Sequence, residues 1–96
     1  MGANQPGDIG LTSAEDIADY FYYQGLANRM YGRLDQAIVN FRKAVDLDEN
    51  YFKNLLKNNP QNRDLLINSG LLKYFDGDFK GAILDLTKLI EASPKD

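Results

Sequence analysis

The side chains that could do chemistry in this sequence are mainly carboxylates, because the 96 residues include no histidine, cysteine or tryptophan. Asp46, Asp48 and Asn50 alternate as the opening ligands of a calcium loop do. That loop needs glycine at its sixth place and glutamate at its twelfth, where this chain has Tyr51 and Lys57. The segment reads instead as a solvated helix end, and Asp76-Gly77-Asp78 reads as an interhelix turn. Ser13, Ser69 and Ser93 have no base near them in sequence and suit caps and helix surfaces better than nucleophilic attack. Without imidazole or thiol, the commonest general base, the thiolate nucleophile and most zinc sites are gone. A non-catalytic chain with no metal or cofactor is expected, and a carboxylate-based metal-dependent enzyme or regulator ranks behind it.

The aromatic run Tyr20-Phe21-Tyr22-Tyr23 has two uses open to it, helix-to-helix packing or the lining of a groove. The composition, 44% hydrophobic and 26% charged, is that of a globular chain with enough apolar residues for a core. Eleven basic against fourteen acidic residues give a net charge of −3, which attracts neither a phosphate backbone nor anionic lipid. Nucleic acid and membrane are therefore not expected as partners. No apolar run is long enough for a signal or a span, and Pro6 stands where a myristoylation pattern wants serine or threonine. A soluble chain is expected, with the cytoplasm the favoured compartment.

Helices must position whatever site exists, since no apolar alternation of period two is present. Residues 1–11, with Gly2, Pro6, Gly7 and Gly10, read as a flexible tail, and 12–96 as a single helical domain. Thr12 and Ser13, each followed three residues later by an acid, mark a helix start. Ala14, Ile17, Ala18, Phe21 and Gly25 then recur at helical steps, with Tyr22, Leu26, Arg29 and Met30 on a neighbouring face. Gly32 breaks the run and Asp35 opens or caps a second one through Leu47. Asn58-Asn59-Pro60 is a stop. A third run reaches Phe75, and a fourth carries Phe79, Ala82, Ile83, Leu86, Leu89 and Ile90 toward Pro94.

The chain also repeats itself. Gly25 matches Gly70, Gly32 matches Gly77, Leu34 matches Phe79, Ala37-Ile38 matches Ala82-Ile83 and Phe41 matches Leu86, all at an offset of 45 residues. Within each unit the order of a bulky residue, Gly, a turn Gly, Ala and a large apolar residue four places on resembles the tetratricopeptide repeat. The first unit runs over about 18–51 and the second over about 63–96, where Pro94 supplies the terminal proline of the pattern. Gln24 and Ser69 replace the leucine before Gly, Asn28 and Lys73 replace the tyrosine, and Glu49 replaces the first proline. A spacing of 45 also falls in the range of HEAT-type repeats, the architectural runner-up. The family period of about 34 leaves an insert, 52–62, of three helical turns, which returns the face to within roughly 20°. The second helix is therefore expected to run on, or to be followed closely by a short extra helix.

The resemblance implies an all-α solenoid of antiparallel helix hairpins whose first helices face a ligand. The matching positions are Asp19, Tyr22, Leu26, Arg29 and Met30, then Asp64, Ile67, Leu71, Tyr74 and Phe75. This mostly apolar face implies a peptide or helix as partner. One subset of the family clamps a C-terminal carboxylate with basic residues and asparagines. Tyr22 and Leu26 fall at such places here and only Asn68 fits, so that clamp is not expected. Two repeats leave Leu71, Phe75, Leu86 and Ile90 with an under-covered side, which calls for further repeats or for self-association as a homodimer. A purely architectural homo-oligomer is the alternative to a peptide-binding scaffold.

Overall fold

The computed structural model describes residues 13–92, and every regular element among them is a helix. In chain order these are α1 (Ala14–Met30), α2 (Leu34–Leu47), α3 (Tyr51–Asn58), α4 (Arg63–Phe75) and α5 (Phe79–Ala92). The segment expected as a tail, Thr12 and Pro94 lie outside the described residues. The chain divides into two compact units, Met1–Glu49 and Asn50–Asp96. The division falls within two residues of the end expected for the first repeat, inside what the sequence suggests as one domain.

In the first unit Ser13 starts α1, its hydroxyl accepting the Asp16 N–H at 3.0 Å. Small residues bring α1 and α2 together. Ala18, Tyr22 and Gly25 from one helix and Ala37, Ile38, Phe41 and Ala44 from the other are buried, and the Tyr22 ring packs 5.6 Å from that of Phe41. The turn between them is set by Gly32 at φ +80. Its N–H bonds the Arg29 carbonyl at 3.0 Å and the next N–H, of Arg33, bonds that of Asn28 at 2.8 Å. These paired bonds satisfy carbonyls that a helix end would leave open, and they require a left-handed residue that glycine adopts without strain. Asp35 lies in the first turn of α2, while the cap position belongs to Arg33, whose side chain makes no capping bond.

The second unit repeats the device at the 45-residue offset. Gly77, at φ +87, bonds the Tyr74 carbonyl at 3.1 Å, and Asp78 bonds that of Lys73 at 2.8 Å. Asp78, the counterpart of Arg33, also caps α5 by accepting the Gly81 N–H at 2.9 Å. Asn62 caps α4 through the Leu65 N–H at 3.0 Å. Leu65, Leu66, Leu72 and Ala82 are buried, together with Tyr51 and Phe52 of α3. Of the two forms expected for the insert, a short separate helix is the one present. Asp48 is extended, at φ −148 and ψ 99, which stops α2 before α3 begins at Tyr51.

Candidate functional site

Each hairpin carries a polar contact between its two helices. In the first unit the Asn28 side-chain amide nitrogen donates to the side-chain oxygen Oδ1 of Asn40 at 2.8 Å. In the second, Lys73 Nζ lies 3.0 Å from Asp85 Oδ2, and the Ser69 hydroxyl donates to the same oxygen at 2.7 Å. Lys73 and Asp85 stand 45 residues after Asn28 and Asn40, so the same two places hold a neutral amide pair in one hairpin and an ion pair in the other. Asp85 and Ser69 are buried, and a buried carboxylate requires such partners. Lys73, a departure from the repeat pattern in the sequence, is committed to this contact. Among the described residues no group of three or more acidic side chains gathers where a metal ion could be held, and no helix is long and apolar enough to cross a membrane.

The residues that the family resemblance places on a ligand face fall as follows. On α1, Asp19, Leu26 and Arg29 are half-buried and Met30 is exposed, whereas Tyr22 is buried within its own hairpin against Phe41. Tyr22 thus supports the helix pair rather than presenting a surface. On α4, Asp64, Tyr74 and Phe75 are exposed, and Ile67 and Leu71 are half-buried. Each first helix therefore has a stripe with an acid near its start and large apolar groups near its end. A shallow cavity of 280 Å³ lies elsewhere on the first unit, lined by Asn28, Asp35, Gln36, Val39 and Asn40.

The surface that the repeat comparison brings out most sharply is on α5. Phe79, Ile83, Leu86 and Ile90 lie on one helical stripe and are 56%, 62%, 46% and 74% exposed. The counterparts of Ile83 and Leu86, Ile38 and Phe41, are 8% and 0% exposed, whereas Leu34, the counterpart of Phe79, is 39% exposed. The sequence marks Leu86 and Ile90 as under-covered, and both are. The exposure of Phe79 and Ile83 was legible only as helical spacing, which gives a face but not its cover.

No family model matches this chain, no curated protein matches it, and no solved structure matches it.

Proposed function

We propose that the chain is a non-catalytic protein-interaction module built of two tetratricopeptide-like hairpins, each of which receives a peptide or an amphipathic helix on the stripe of its own first helix, α1 in one unit and α4 in the other. The observation that carries this reading is the duplication itself. The same glycine turn, a polar contact between the same two places of the paired helices, and a part-open stripe on the first helix recur at one offset. A hairpin stacked as a repeat needs its second helix for packing and leaves the first free to face a ligand. The stripes fit an amphipathic helix, because apolar groups supply affinity while Asp19, Asp64 and Arg29 set its direction.

The test is a displayed library of amphipathic and extended peptides panned on the whole chain. Enriched peptides are then titrated against the wild type and against Met30→Glu and Tyr74→Lys, both at exposed positions, with unchanged helical circular dichroism as the check on folding. Peptides that lose about tenfold or more in affinity on either variant support the reading. Enrichment of none, or peptides indifferent to both changes, overturns it.

A further inference from the structure

The exposed stripe of α5 has steps of four, three and four residues from Phe79 to Ile90, the spacing with which one helix packs along another. It covers about 16 Å of helix. At its start it runs into an aromatic cluster, the Tyr74 ring lying 5.5 Å from Phe79 and 5.6 Å from Phe75. With about 100 Å² of exposed surface on each of these four side chains and on Phe75, the patch offers roughly 500 Å² of apolar area. One side of a standard interface, about 800 Å² and somewhat over half apolar, requires about this much.

The charges beside the stripe select its occupant. Lys80 and Glu91 share one flank, one near each end of α5, with the exposed Leu84 and Thr87 between them and Ala82 on the opposite flank. A second α5 laid antiparallel places Phe79 against Ile90 and Ile83 against Leu86, and it brings Lys80 of each copy beside Glu91 of the other. A parallel twofold pair would instead carry the Lys80 and Glu91 flanks of the two copies to opposite sides of the seam, each against the partner's Ala82 flank, and would form neither ion pair. The antiparallel pair also aligns the helix dipoles favourably.

We infer that α5 is a self-recognition helix, through which two copies of this chain form a twofold-symmetric dimer across Phe79, Ile83, Leu86 and Ile90. The inference does not depend on peptide binding by α1 and α4, and the two fail separately. The test is sedimentation of the whole chain from roughly 10 μM to 1 mM, a range suited to an interface of modest area. Wild type is expected to pass from monomer to dimer. Ile83→Glu, with unchanged helical circular dichroism, is expected to weaken the dimer by about a hundredfold or more. Lys80→Glu should weaken it several-fold and Lys80→Glu with Glu91→Lys should restore it. A wild type that stays monomeric at the highest concentration overturns the inference and leaves the stripe to a helix of another protein. A dimer insensitive to Ile83→Glu, or a charge exchange that fails to restore it, overturns the assigned face or its antiparallel register.

Discussion

Gly25 and Gly70 occupy one place in the two hairpins, yet what stands across from them differs. A methyl group at Gly25 would lie 2.5 Å and 2.6 Å from two ring carbons of the buried Phe41 and 3.1 Å from the Ala37 carbonyl. At Gly70 it would lie 3.6 Å from Asp85 Cβ and 3.8 Å from Leu86 Cγ, ordinary contact distances. Close approach thus requires glycine in the first unit alone, because Phe41 is replaced by Leu86 in the second. Gly70→Ala is expected to stabilise the chain by about 0.5–1 kcal/mol, the ordinary gain over glycine inside a helix. Gly25→Ala is expected to destabilise it by about 1–2 kcal/mol, since overpacking outweighs that gain. Urea melts of the two variants at one protein concentration should shift in opposite directions, and a common sign would show that the two crossings are alike.

At the scale of elements, α3 depends on its first turn. It has eight residues, no side-chain cap bond at its start, and Tyr51 and Phe52 buried at one end, while Lys57 and Asn58 at the other end are exposed. So short a helix does not hold by propensity alone. Phe52→Ala is expected to cost about 3 kcal/mol or more, and amide exchange should then lose protection over 54–58 while α1 and α2 keep theirs. Retained protection there would mean that α3 is held by something other than its buried end. The existence of α3 was legible from Phe52, Leu55 and Leu56 at helical spacing and from the Asn-Asn-Pro stop. Its separation from α2 was not, because the break lies in the extended backbone of Asp48, for which the residue type gives no signal. The turns were legible from Gly32 and Gly77, whose conformation few other residues adopt. Of the candidate ligand face, periodicity gave the positions but not the depth, so that Tyr22, in step with Leu26, is buried while Met30 is exposed. The contact of Lys73 with Asp85 was hidden for a similar reason. Pairs across two helices have no fixed spacing in sequence.

For the whole molecule, association and stability are linked by mass action. A chain whose folded form pairs through α5 melts at a temperature that rises with its concentration. Such a rise is expected for wild type and should vanish in Ile83→Glu, so thermal scans over a hundredfold concentration range give a reading of self-recognition separate from sedimentation. A melting temperature independent of concentration in both proteins would go against it. The polar contacts between paired helices bear on a different hazard. Two similar hairpins in one chain invite an exchange of partners while folding, and a dimer doubles the opportunity. If α1 took α5 as its mate, Asn28 would meet Asp85 and the space kept by Gly25 for the Phe41 ring would face a leucine. If α4 took α2, Lys73 would meet Asn40 with its carboxylate left behind. Each hairpin thus carries its own lock and key, amide with amide and ammonium with carboxylate, by which a helix distinguishes its true mate from the copy of it.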